Sequence, residues 1–170
     1  MSGFSKNVAL LALGFWLGCA VWFTVAVAPT LTNPAVASGL SHSMADAISG
    51  AILRRIYLAT YIGVGIAAFF LLIASFGEGK GAWGPRRALI LCLLALGLNA
   101  MNDVLIHDWI NKVKVEMANP KGNEMETLHR KLNQWHKAST WIYYGTMACG
   151  GLAAILLLPS GGRGKSRGSS

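Results

Sequence analysis

The sequence predicts an all-α fold: an integral membrane four-helix bundle whose second, third and fourth helices extend beyond the bilayer on one side. Three observations predict it. Hydrophobic residues make up 54% of the 170-residue chain and charged ones only 13%, against about 25% charged in soluble domains. The apolar residues gather in four blocks of about 18 to 22, long enough to cross a ~30 Å hydrocarbon layer at ~1.5 Å per residue. Three of the blocks continue as helical patterns past the hydrocarbon length, and all three excesses fall on the same side. A single transmembrane domain over residues 1–159 and a disordered basic tail over 160–170 account for the chain.

The first span, residues 7–28, follows Lys6 and closes before Pro29. Ala26-Val27-Ala28 has the small-x-small form of a signal-peptide cleavage site. The apolar run exceeds the ~7–15 residues of a signal core, however, so an uncleaved span is expected. Gly18-Cys19 resembles a lipoprotein site only faintly, since Trp16 and Leu17 precede it. Gly14 and Gly18 make a Gly-x-x-x-Gly step, where a second helix is expected to approach closely. Residues 29–43 hold two prolines, Ser, Thr and Asn and read as a loop.

Ser43 with Asp46 is expected to cap a helix over 44–76, whose second span is 56–76. Gly77 to Gly84 reads as a turn, with Pro85 at a first helical position and Arg86 and Arg87 flanking a third span, 88–106. A helical stripe continues through Ile106, Trp109, Ile110, Val113 and Met117 until Asn119-Pro120-Lys121-Gly122 breaks it. Asn123 with Glu126 opens the fourth helix. Its stripe is Met125, Leu128, Leu132, Trp135, Ser139 and Ile142, leading into a span at 141–158. Residues 44–55, 107–118 and 124–140 then form a helical cap over one membrane face.

Orientation comes from the short flanks. Lys6, Lys80, Arg86, Arg87, Arg163, Lys165 and Arg167 fall on one side of a four-span chain, which places both termini in the cytoplasm, as in a bacterial inner membrane. The bilayer is the expected partner, with a second copy or another membrane protein as further candidates. Nucleic acid is not expected: the net charge of +8 is scattered at block ends, with no basic face interleaved with aromatics. Cys19, Cys92 and Cys149 each lie inside an apolar block, without Cys-x-x-Cys spacing, and read as small hydrophobes.

Chemistry has few places to sit. On the third helix Asn99, Asp103 and His107, at i, i+4 and i+8, form one polar stripe, with Asn102 beside it. Across from it His136 and Ser139 enter the fourth span, completing a polar inter-helix path. A carboxylate at the depth of Asp103 is costly unless paired, protonated or wetted, so it is expected to face the bundle. Arg54 and Arg55 are its nearest charge partners by depth. That leaves two readings, an Asp–Arg clasp that orients helices or a carboxylate that handles ions or protons.

On the fourth helix Glu126, His129, Asn133, His136 and Thr140 share a face. Glu126-x-x-His129 has the spacing of a di-iron ligand pair, but a second such motif is missing. His107 with His136 is the one sensible pair for a haem iron. A weak transition-metal site would draw on His107, His129 and His136, borrowing Asp103. The plainer reading of each histidine is an interfacial side chain held by a backbone or Asp partner, and no cofactor is predicted. No catalytic set emerges: the chain lacks a P-loop, a dinucleotide glycine motif and Gly-x-Ser-x-Gly.

Leu13-Gly-Phe-Trp-Leu-Gly18 running to Val27-Ala-Pro29, Gly50-Ala-Ile-Leu-Arg-Arg55 and His136-Lys-Ala-Ser139 resemble the transmembrane protein 205-like family, a four-span domain of unknown function of the DUF4149 type. The resemblance implies membrane residence and a role in metal or solute handling, since the animal member is associated with platinum-drug resistance and a distant group resembles copper-resistance proteins. It implies no established enzyme activity. The leading expectation is therefore a small transport or metal/solute-homeostasis protein using Asn99, Asn102, Asp103, His107, His136 and Ser139. A structural or assembly partner of another membrane protein is the alternative, and a haem or quinone redox subunit is a third.

Overall fold

Apolar runs that carry no proline beyond their first turn have one way to satisfy backbone polar groups in hydrocarbon, and that is the helix. The computed structural model describes residues 2–27, 42–77, 83–118 and 124–158. It has four long helices. Helix α1 spans Ser2–Trp22 and is prolonged by a wide π-helical turn, Phe23–Val27. Helix α2 spans His42–Gly77. Helix α3 spans Trp83–Ala118, with a second π-helical stretch, Met101–Ile106, inside it. Helix α4 spans Met125–Leu157.

All four are long and apolar enough to cross a membrane. Helix α1 packs on α2 and α4, and α3 packs on α2 and α4, so the bundle closes as a ring. The fold class is the expected one, and the chain is a membrane protein. The 36 residues of α2 and 33 of α4 reach about 50 Å at the helical rise, well beyond a ~30 Å hydrocarbon layer.

Several boundaries differ from expectation. Helix α2 begins at His42, so Ser43 is already helical; the side chains of Ser43 and Asp46 lie outside the described residues, as do the loop over 29–41 and the breaker over 119–122. The tail over 160–170 and most of the expected turn before Pro85 lie outside them too. Pro85 is the third residue of α3 rather than the first, still within the turn whose N–H groups have no intrahelical acceptor. Helix α4 starts at Met125 with Glu124 at the N-cap position, making no side-chain cap. Glu126 instead pairs with Arg130 at 3.1 Å on the surface.

In the half of the bundle that holds the N-terminal part of α1, the core is built from small residues. Ala9, Ala67, Ala88, Cys92, Ala95 and Ala153 are buried with Leu13, Val64 and Leu71, and their size lets the backbones approach. One large ring fills the centre. Trp16 is buried, and its indole sits against Gly63 of α2 and Gly150 of α4. A Cβ on Gly63 would come within 2.8 Å of the Trp16 Cβ, and one on Gly150 would overlap its six-membered ring.

The indole Nε1 donates to Thr60 Oγ1 at 3.0 Å, and that hydroxyl in turn donates to the Ile56 carbonyl at 2.9 Å. Thr60→Val keeps the shape but leaves a buried indole N–H unpaired, which costs about 1–3 kcal/mol. Thermal melting in detergent is expected to fall accordingly, and an unchanged midpoint would show that this bond contributes nothing.

The Gly-x-x-x-Gly expectation fails at this interface. A Cβ on Gly14 or Gly18 would meet nothing within 4 Å, so neither glycine is a point of helix contact. The close approaches fall on Gly63 and Gly150 because the bulk there is a buried indole, which requires the missing side chains. Towards lipid the bundle presents exposed Leu11, Phe15, Ile62, Phe69, Ile90 and Ile155.

Where α3 and α4 run on together, Ile110, Val113 and Leu128 are buried between them. Beside these, Trp109 stacks on Trp135 with ring centroids 5.2 Å apart, and Lys112 lies over the Trp109 ring. A double-mutant cycle with Trp109→Ala and Trp135→Ala is expected to give a coupling of about 0.5–1.5 kcal/mol. Zero coupling would mean that the stack is incidental.

Candidate functional site

The two wide π-helical turns lie at one level of the bundle. In such turns a backbone N–H reaches five residues back, as His107 N–H does to the Asn102 carbonyl, and they recur at functional sites. Phe23 and Thr24 come from the first and Asn102 from the second, and all three line one pocket. Helix α2 adds Leu53 and Tyr57, and α4 adds Ser139, Thr140, Tyr143 and Tyr144. All four helices therefore contribute. The pocket has a volume of about 160 Å³, roughly ten times the ~15 Å³ one water needs by the same measure.

Its polar groups are mostly committed. Asn102 Nδ2 donates to the Ser139 carbonyl at 3.2 Å, and the Tyr57 hydroxyl is hydrogen-bonded with the Ser139 side chain. Thr24 Oγ1 and the Tyr143 hydroxyl both donate to the Ala20 carbonyl, at 2.9 and 3.4 Å. Thr140 Oγ1 returns to the His136 carbonyl at 2.9 Å. Asn102 is 2% exposed, yet its Oδ1 has no hydrogen-bond partner. The amide orientation is fixed by its own chemistry, because only the NH₂ end can bond a carbonyl. An acceptor is thus buried beside the pocket without a donor.

Among the described residues, no charged side chain lines this pocket. Deeper in the bundle the polar groups continue with Asn99, which donates to the Tyr57 carbonyl at 3.3 Å, and with buried Thr146 and Thr60. They lead to Trp16, beyond which the core is mostly apolar, with Ser5 as a further buried polar residue.

The expected path divides at α3. Asn102, not Asp103, takes the inward position beside Asn99, because it continues the buried stripe Ala88, Cys92, Ala95, Asn99, Asn102 and Ile106 in the three- and four-residue steps of one helix face. Asp103 is half-buried and faces α2, where Tyr61 donates to its Oδ2 at 3.4 Å. It shares a cleft of about 540 Å³ with Arg54 and Arg55. Among the described residues no ion pair joins it to either arginine, so the clasp is replaced by a tyrosine–carboxylate contact beside two guanidinium groups.

The structure brings Asn102 together with Ser139, and Asp103 into one cleft with Arg54 and Arg55. His107 is half-buried, and His129 and His136 are exposed; none of the three lines the pocket or the cleft. Among the described residues no group of three His, Cys, Asp or Glu is placed to hold a metal ion. Sequence reasoning missed Thr24, Tyr57 and Tyr143 as site residues. A signal existed: each carries a hydroxyl at the cap-side end of its apolar block.

A family model described as a domain of unknown function, DUF4149, matches residues 11–119. That stretch takes in the second half of α1 and all of α2 and α3, and with them Thr24, Tyr57 and Asn102 of the pocket. No curated protein and no solved structure matches the chain.

Proposed function

The chain belongs to the DUF4149 family, a membership that assigns no activity, and from the geometry of the four-helix pocket we propose that it handles small uncharged solutes across the membrane. The observation that carries this reading is the unpartnered Asn102 Oδ1. A buried amide oxygen without a partner costs about 1–3 kcal/mol, so a retained one calls for a donor that arrives from elsewhere. The pocket's volume and uncharged lining select a small molecule bearing N–H or O–H groups, of the size of urea or glycerol. The polar residues below it, Asn99, Thr60 and Thr146, extend the route inward, and Trp16 closes it. Passage then requires the indole to leave Thr60.

Metal ions fit this pocket less well, since it offers hydroxyls and an amide but neither carboxylate nor imidazole. We place both termini in the cytoplasm on the same proposal, following the basic flanks at Lys6, Lys80, Arg86 and Arg87. The test is reconstitution into vesicles and stopped-flow light scattering under urea, glycerol or sucrose gradients. Faster equilibration than protein-free vesicles for urea or glycerol, and not for the larger sucrose, is expected. Rates equal to protein-free vesicles for all three would end the proposal.

A further inference from the structure

Between α1 and α2, on the lipid-facing side of the bundle, lies an open apolar groove of about 690 Å³, within the ~300–1,000 Å³ range of ligand sites. Gly14, Gly18, Cys19 and Trp22 form one wall, and Ile56 and Ala59 belong to the other. The two glycines create the space: side chains there would meet no protein atom. At the cap-side end, level with Phe23 and Val27, the groove reaches Arg55. Arg55 also lines the neighbouring polar cleft with Arg54, Tyr61 and Asp103. Among the described residues, one carboxylate stands against two guanidinium groups; it makes no ion pair with them and is engaged by Tyr61.

We propose that this groove is a binding site for one anionic glycerophospholipid, an acyl chain lying along Gly14 and Gly18 and the headgroup phosphate on Arg54 and Arg55. An apolar slot open to the bilayer and ended by a surplus of positive charge is complementary to that amphiphile. Arginine suits the phosphate, because its planar fork bonds two oxygens at once. Two guanidinium groups beside one carboxylate favour a headgroup of net negative charge over a zwitterionic one by simple Coulomb attraction. The preference lies at the arginines, and the fit of the chain lies at the glycines. Neither depends on the solute pocket.

Native mass spectrometry of the detergent-purified full chain, incubated with equimolar dioleoylphosphatidylglycerol and dioleoylphosphatidylcholine, tests this. A single phosphatidylglycerol adduct, several-fold more abundant than the phosphatidylcholine adduct, is expected. Arg54→Gln/Arg55→Gln should bring the two to parity, Arg55→Lys should retain part of the preference, and Gly18→Leu should lower both adducts. Size-exclusion profiles and helical circular dichroism confirm that each variant is folded. Equal adducts in the wild type, or a preference that survives the double arginine variant, would overturn the proposal.

Discussion

Trp16→Ala is expected to lower the detergent melting midpoint by roughly 6–12 °C, the equivalent of ~3 kcal/mol at about 2–4 °C per kcal/mol for a chain of this size. In hydrocarbon the helices gain little from excluding water, so packing and inter-helix hydrogen bonds carry their association. Trp16 supplies both, since its ring fills the gap between α2 and α4 and its N–H bonds Thr60. Phe15→Ala, one residue away but 78% exposed, is expected to change the midpoint little. Gly150→Ala should cost about 1–3 kcal/mol by forcing a methyl into the indole. In a Trp16→Phe background that cost should shrink, because the smaller ring vacates part of the space. Additive costs would show that Gly150 is needed for some reason other than the indole.

Asn102→Leu is expected to melt at or above the wild-type midpoint, although it removes a buried hydrogen bond. The bond from Nδ2 to the Ser139 carbonyl contributes about 0.5–1.5 kcal/mol, while the unpaired Oδ1 costs ~1–3 kcal/mol. Leucine has nearly the same shape and carries neither term. A residue whose replacement leaves stability intact or improves it has been kept for another purpose. A fall of more than several degrees would instead make Asn102 a structural clamp between α3 and α4.

The sequence made the bundle legible because its signals are long-range averages: four apolar blocks, three helical stripes that overrun the hydrocarbon, and breakers between them. The position of the polar residues was less legible. Counting 100° per residue placed Asp103 above Asn99, but Asn102, three residues on, is also a neighbour of Asn99 on a helix surface, and the buried stripe runs through Ala95, Asn99, Asn102 and Ile106. The inward position went to Asn102 and the carboxylate went to Tyr61. Gly14 and Gly18 misled for a related reason. A glycine pair on a helix shows where a partner has room to approach, and the partner came to Gly63 and Gly150. Asn102 was found from sequence because a polar residue within an apolar block is conspicuous at any rotation, and Ser139 because it stands at the entry to the fourth block. The histidines at 107, 129 and 136 were equally conspicuous, but His107 is half-buried, His129 and His136 are exposed, and none of the three lines the four-helix pocket.

Solute entry into the four-helix pocket is the central claim, and urea flux in vesicles carrying wild type or Asn102→Leu at matched density tests it most directly. Loss of one hydrogen bond worth ~1.4 kcal/mol predicts a rate about tenfold lower for the variant, with its melting midpoint undiminished. Equal urea rates in the two proteins would contradict the account, because the unpartnered amide oxygen would then have no part in what the pocket takes up.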